Sequence, residues 1–255
     1  TMDADSALAK NAIVNLIEYF KDNSISGVVG NVKIGENYTF IGLMQRLEYL
    51  FGFYFKRTHS VVGSEYIFGG ACAAFRASVF KDIGEYDEVN KTEDIEMTMR
   101  LKAHGLKSAY AEDVICFTEG AGNLSGLINQ RLRWKKGRLD TFMRYRSLFF
   151  STNKNHNKFM SWFVLPYALL QEIQLFFEPI AFSLLFAYSF ISGDYTSLMF
   201  GLLFILIIYV VVSFDNQEGF KPEVILTFPA TWFMFYFLVW IEFLALMKSI
   251  YMIFR

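Results

Sequence analysis

Five groups of residues in this chain are of types that do chemistry. The first is Asp3-Ala-Asp5, two carboxylates two positions apart. In an extended strand end, both project to one side. Oxygen ligands so placed suit Mg²⁺ or Mn²⁺, ions that also take phosphate oxygens. The same spacing occurs by chance in many loops. The second group is Gly69-Gly70-Ala71-Cys72, where small side chains let a backbone come close to a ligand, or let a helix pack tightly on a sheet. The third is Thr92-Glu93-Asp94, and the fourth is Gln130-Arg131-Leu132-Arg133-Trp134. On a helix over 126–137, Gln130, Arg133 and Trp134 fall at i, i+3 and i+4. An amide, a guanidinium and an indole on one face can hold an oxyanion and stack a flat ring. A basic juxtamembrane helix with its Trp at the headgroup level has the same composition. The fifth group, Glu172, Glu178 and Glu242, lies within apolar runs, where an ionisable group is costly unless it faces other helices or water. These acids, with their aromatic neighbours, suit either a path for a polymer or polar contacts between packed helices.

The elements that must position these groups are read from pattern. A helix is expected over 7–21, with Ile13, Leu16, Ile17 and Phe20 as its apolar residues, then a strand over 28–34. A second helix over 41–55 is rich in aromatics, and 82–87 reads as a turn. Thr92 is placed as an N-cap, Glu93 and Asp94 suit a first helical turn, and Gly105 suits the C′ position. Capping alone accounts for those acids. A carboxylate at a helix start facing a cleft can also take a proton from a hydroxyl. Residues 107–117 read as a strand, with Glu112-Asp113 in a turn.

Composition divides the chain. Its 255 residues are 54% hydrophobic and 18% aromatic, with the excess concentrated after Trp162. The net charge of −1 hides nine Lys and Arg between Arg131 and Lys158 against the single Asp140. Such a block marks a cytoplasmic membrane face. It abuts apolar spans rather than a basic fold, so no nucleic-acid partner is expected. Spans are expected over 159–191, 198–214 and 224–254, with a polar loop over 215–223 and possible breaks at Pro166 and Pro179. Cys72 and Cys116 have no metal-ligand spacing and are expected as free thiols rather than a disulfide. His59, His104 and His156 form no pattern. The acceptor-like triplets at Asn37, Asn90 and Asn123 carry meaning only outside the cytoplasm.

The order Asp3-Ala-Asp5, Gly69-Gly70, Thr92-Glu93-Asp94, Gln130-Arg-Leu-Arg133-Trp134 resembles the membrane-embedded processive glycosyltransferases of family 2: cellulose, chitin, hyaluronan and poly-N-acetylglucosamine synthases. The chain departs from the family pattern at Glu119-Gly-Ala-Gly122, where a Pro commonly stands. The resemblance implies an α/β fold: the C-terminal part of a GT-A-type domain over 1–150, ending in an interfacial helix, followed by an all-α transmembrane region over 159–255. It implies that strands holding the uracil precede Thr1, so the fragment by itself should not catalyse. It assigns Asp5 and Asp3 to the metal and the sugar-nucleotide diphosphate, and Asp94, with Glu93 beside it, to the general base. Gln130 and Arg133 go to the diphosphate, Trp134 to the acceptor sugar, and Gly69, Gly70 and Cys72 to the acceptor end. The implied partners are a UDP-sugar donor, with UDP-N-acetylglucosamine favoured and glucose next, a growing polysaccharide and the lipid bilayer. The implied place is the inner or plasma membrane, multi-pass, with the catalytic domain cytoplasmic. Two other readings remain open: a single-sugar transferase to a lipid carrier, and a channel or scaffold with an inactive domain.

Overall fold

The computed structural model describes residues 1–35, 39–214 and 222–253, with side chains left undescribed over 213–231. The chain runs β1 (Ser6–Leu8), α1 (Ala12–Tyr19), β2 (Ile25–Ile34), α2 (Phe40–Val61), β3 (Ala73–Phe75), α3 (Ala77–Ile83), α4 (Glu93–Ala103), β4 (Lys107–Thr118) and α5 (Leu124–Arg144). A π-helical stretch, Met160–Val164, then leads into α6 (Leu165–Ser192), α7 (Thr196–Phe214) and α8 (Pro222–Ile253). The fold is therefore α/β followed by all-α, as the pattern implied.

The sheet has the order β1-β4-β2-β3, with β2 and β4 parallel and the outer strands antiparallel. Val28, Val29 and Val32 of β2 are buried, and helices on both faces cover it, as the apolar run requires. Two further clusters join this lobe to the apolar helices. Tyr66, Ile95, Met99 and Phe142 pack with Met160, Val164, Leu165 and Ala168. Met44, Leu47 and Leu127 pack with Tyr209, Met234, Leu238 and Ile241. Helix α5 belongs to both clusters, so its position is fixed from two sides.

Several local expectations are corrected. The helix expected from residue 7 starts at Ala12, because Ala7 and Leu8 pair with Phe117 and Cys116 of β4. Strand pairing overrides local helix preference there. On α1, Ile13 and Ile17 are exposed, and Leu16 and Phe20 make the core contact. Helix α2 extends to Val61, beyond the expected end at 55. Asp82 belongs to α3, and the chain turns at Gly84, whose φ of +87° suits a residue without Cβ. Glu112 and Asp113 lie inside β4 at a bulge, where the register passes from Gly30↔Ala111 to Asn31↔Ile115. Gly105, at φ +70°, ends α4 as expected. Asp3 and Asp5 span a turn closed by the Ser6 amide donating to the Asp3 carbonyl, 3.1 Å, not an extended strand end.

Pro166 stands where the π-helical stretch passes into α6, and Pro179 lies inside a helix that continues past it. Among the described residues two helices, Met160–Ser192 and Trp232–Ile253, are long and apolar enough to cross a membrane. Thr196–Val212 is a shorter apolar helix. Of the expected loop over 215–223, residues 215–221 lie outside the described residues, while Pro222 and Glu223 open α8. The triplet at Asn37 and the terminal Arg255 also fall outside them, at least in part.

Candidate active site

The site forms where the start of the chain meets the loop before β3. Thr1 and Ala73 exchange backbone hydrogen bonds, the terminal amine donating to the Ala73 carbonyl at 2.5 Å and the Ala73 amide to the Thr1 carbonyl at 3.2 Å. That rung brings Asp3 to Gly70. A Cβ on Gly70 would stand 3.0 Å from Asp3 Oδ1 and 3.6 Å from Asp94 Oδ2, so glycine lets two carboxylates approach one backbone amide. The Gly70 amide donates to Asp94 Oδ2 at 2.8 Å, and the Ile95 amide donates to Asp94 Oδ1 at 2.8 Å.

The loop is held on α4 by two further bonds. The Phe68 amide donates to Thr98 Oγ1 at 3.1 Å, and that hydroxyl donates to the Asp94 carbonyl at 2.7 Å. Thr92 occupies the N-cap position of α4, but its side chain makes no capping bond. Its hydroxyl points to Asn90 Oδ1, 3.3 Å, and the residue packs on Gly137 of α5. The expectation that Thr92 caps with its side chain is therefore corrected; Asp94 instead takes the helix-start amide of Ile95. The contact with Gly137 sets the opening of α4 against the helix that carries Gln130, Arg133 and Trp134.

Electrostatics tie the remaining residues together. The Asp3 carboxyl is raised above its ordinary value, first by desolvation and then by the charges of Asp5 and Glu93, with Arg133 opposing. Asp94 is also raised: burial dominates, the Ile95 and Gly70 amides oppose it, and Glu93 and Asp3 add to it. Asp3 thus feels Asp5, Glu93 and Arg133, and Asp94 feels Glu93 and Asp3. Excess negative charge carried on oxygen donors is the environment a hard divalent cation neutralises. Among the described residues no cluster of three or more His, Cys, Asp or Glu could hold a metal alone. Asp3 and Asp5 nevertheless fit Mg²⁺ or Mn²⁺ if a diphosphate completes the shell, the usual arrangement for Mg²⁺. Asp5 is oriented by the Thr118 hydroxyl, which donates to its Oδ1 at 3.2 Å.

The Gln130 Oε1 is buried without a hydrogen-bond partner. Arg133 is exposed, and Trp134 is half-buried. Gly69 is open, with nothing within 4 Å of a Cβ built on it. Cys72 turns away from the place expected for it. Its side chain is buried in the core and its sulfur faces Gly30, where an added Cβ would come within 2.6 Å. Only its backbone lies along the site loop. Both cysteines are free thiols, as expected.

Arg131 went unnoticed in the motif, where it fills a variable position. Among the described residues it is the largest fully buried side chain, and its guanidinium stacks on the Trp134 ring at 4.3 Å. Glu172 and Glu242, expected to line a path or join helices, do the latter. Lys135 Nζ donates to Glu172 Oε2 at 2.8 Å and pairs with Glu242 Oε2 at 3.0 Å, while Arg138 donates to Glu172 Oε1 at 2.8 Å. Glu178 stands apart, on an apolar cavity lined by Phe182, Trp232, Tyr236 and Phe51.

Comparison with known proteins agrees with this geometry. The family described as Glycosyltransferase like family 2 matches residues 1–137. Poly-beta-1,6-N-acetyl-D-glucosamine synthase of Staphylococcus aureus (strain COL) is 32% identical over 156 residues, 60% of this chain and 37% of that protein. The synthase of the same description from Staphylococcus epidermidis is 30% identical over 175 residues, 68% of this chain and 41% of that protein. The chain thus spans about two fifths of these relatives. In fold it is similar to mannosyltransferase PcManGT from Pyrobaculum calidifontis, solved with GDP-Man and Mn2+. That match has a TM-score of 0.56 at 16% identity and covers 98% of this chain and 61% of that one.

Proposed function

The chain belongs to family 2 of the glycosyltransferases, and from that premise we propose that it is the acceptor-side part of a synthase extending a β-linked polysaccharide. The donor is a UDP-sugar, UDP-N-acetylglucosamine first, since the relatives at about 30% identity carry that sugar in their product's name. Residues 1–150 form the cytoplasmic domain, and 159–255 lie in the bilayer of the plasma membrane. The observation that carries the reading is the Asp94 carboxylate held at 2.8 Å by the Gly70 amide, with Asp3 against the same glycine.

The chemistry is a single displacement. Asp94 takes the proton of the acceptor hydroxyl, that oxygen bonds to the anomeric carbon, and the bond from that carbon to the diphosphate oxygen breaks. Each Asp94 oxygen already accepts one backbone N–H and keeps a second lone pair for the acceptor. Burial makes Asp94 a stronger base than an ordinary carboxylate. A divalent ion between Asp3, Asp5 and the diphosphate would supply charge neutralisation to the leaving group. Arg133 faces the Asp3 side and pairs with the same diphosphate. Gln130 offers its unpartnered amide oxygen to a donor on the substrate, and Trp134 presents a ring face to the acceptor sugar. One displacement inverts the anomeric carbon, so an α-linked donor gives β-linked product.

The test is incorporation of radiolabelled UDP-N-acetylglucosamine into polymer by membranes carrying the full-length protein. Asp94→Asn should abolish incorporation while the protein stays folded and membrane-bound. Undiminished polymer from Asp94→Asn would overturn the assigned base. A product of one sugar on a lipid would replace elongation with single transfer.

A further inference from the structure

Helix α5 carries two faces. One carries Gln130, Arg133 and Trp134, at i, i+3 and i+4, with Arg133 acting on Asp3. The other carries Arg131, Lys135 and Arg138, at i, i+4 and i+7, which is one helical stripe. These three cations meet three carboxylates drawn from three other helices. Arg131 donates to Glu48 Oε2 of α2 at 2.5 Å, and its Nε stands 3.4 Å from Glu242 Oε1 of α8. Lys135 bridges Glu242 and Glu172, and Arg138 closes on Glu172 of α6. The stripe is charge-balanced, and Arg131 and Glu172 are almost wholly buried, at 1% and 4% exposure. Unpaired charges so placed would be expensive, so each arrangement of α5 that breaks the set is disfavoured.

Arg131 belongs to both faces. Its guanidinium lies over the Trp134 ring while its nitrogens reach Glu48 and Glu242. One side of the indole is thereby covered by a planar cation held in place by two helices. We propose that Arg131 is a positioning residue that sets the plane of the Trp134 platform and ties it, through Glu242, to candidate membrane helix α8. The proposal rests on the reading that Trp134 stacks the acceptor. It predicts that grip on the acceptor chain depends on Arg131 although Arg131 touches no substrate.

The experiment uses the full-length protein in membranes, with donor KM, turnover and product length measured for wild type, Arg131→Lys, Glu242→Gln and Trp134→Ala. Lysine keeps the charge and a pairing atom, but not the planar group that stacks on the indole while it bonds Glu48 and pairs with Glu242. Arg131→Lys is expected to shorten the product and lower turnover about 10-fold or more, with donor KM within about 2-fold. Glu242→Gln leaves the bond to Glu48 and should give a smaller loss in the same direction. Both should resemble a partial Trp134→Ala. Wild-type product length and turnover in Arg131→Lys would overturn the proposal, as would a loss confined to donor KM. If Arg131→Lys fails to fold, Glu242→Gln decides by the same two readouts. Failure of the acceptor reading shows separately, as normal polymer from Trp134→Ala.

Discussion

Gly137 is where α5 meets the opening of α4 at Thr92, so replacing it with Ala tests whether the proposed base and the proposed acceptor platform are coupled. A Cβ there would lie 2.7 Å from Thr92 Cγ2 and 2.8 Å from Thr92 Cβ, with Thr92 Oγ1 closer still. Ordinary carbon contacts lie near 3.5–4.0 Å, so the two helices must part by about 1 Å. Helix α5 is pinned by its ion pairs to α2, α6 and α8, so the opening of α4 is the side that yields. Overpacking of this kind costs about 1–3 kcal/mol of stability. Asp94 is two residues from Thr92, and a shift of about 1 Å breaks its 2.8 Å bond to the Gly70 amide. Misplacing a reacting group by that amount costs roughly 100-fold in rate, or about 2.7 kcal/mol of barrier. Initial polymerisation rates at saturating donor, with thermal unfolding of the same preparations, measure both effects for Gly137→Ala in the full-length protein. Thr92→Gly combined with Gly137→Ala moves the methyl across the contact, and should recover most of the rate because Thr92 makes no side-chain cap to lose. A rate for Gly137→Ala within about 2-fold of wild type, at unchanged melting temperature, would refute the coupling.

Three further outcomes follow from the same coordinates. As the proposed base, Asp94 would have to be ionised to act; its carboxyl is raised above 3.8 first by burial and also by Glu93, so the rate should fall on acidification at a pH above the usual carboxylate range. Glu93→Gln should move that limb downward in a pH profile of kcat/KM; an unmoved limb would separate Glu93 from the site. Glu65, buried under the site loop, has its carboxyl pushed up to about 7 chiefly by desolvation, so folding favours its neutral form. Its contribution to stability is whole below its ordinary value of 4.5 and is lost as pH rises through about 7. Glu65→Gln should flatten the dependence of melting temperature on pH across that window. Gly30→Ala would set a methyl 2.6 Å from Cys72 Sγ and 2.7 Å from the Val114 carbonyl, inside the sheet. It should lower stability by about 1–3 kcal/mol in chemical denaturation, with the donor KM of whatever protein stays folded unchanged.

The sequence alone carried what depends on residue type and short spacing. The Asp-x-Asp, the acidic triplet and the Gln-x-x-Arg-Trp helix could be read as a set because each is compact along the chain. The division into α/β and apolar helices could be read because hydrophobic periodicity is local. The glycine turn at Gly105 and a helix through 126–137 followed from the same local rules, although α5 runs further, from Leu124 to Arg144. What failed was local too, but overridden from a distance. Ala7 and Leu8 read as helix until β4 paired with them, and Glu112-Asp113 read as a turn until β2 drew them into a bulged strand.

Only the tertiary structure decided which side chains share a space. Cys72 ends the site loop, yet its side chain packs into the core with Ala71, Val28 and Val114, because the turn before β3 is buried against the sheet. Arg131 is one residue from Gln130 and looks like spacer, yet it carries the Trp134 ring, because a neighbouring position on a helix points about 100° away, into the carboxylates of other helices. No spacing within α5 could announce Glu48, Glu172 and Glu242 as its partners. They lie 34 to 111 residues away in the chain, and charge pairing at that range is settled by packing, which alone decides what is desolvated together.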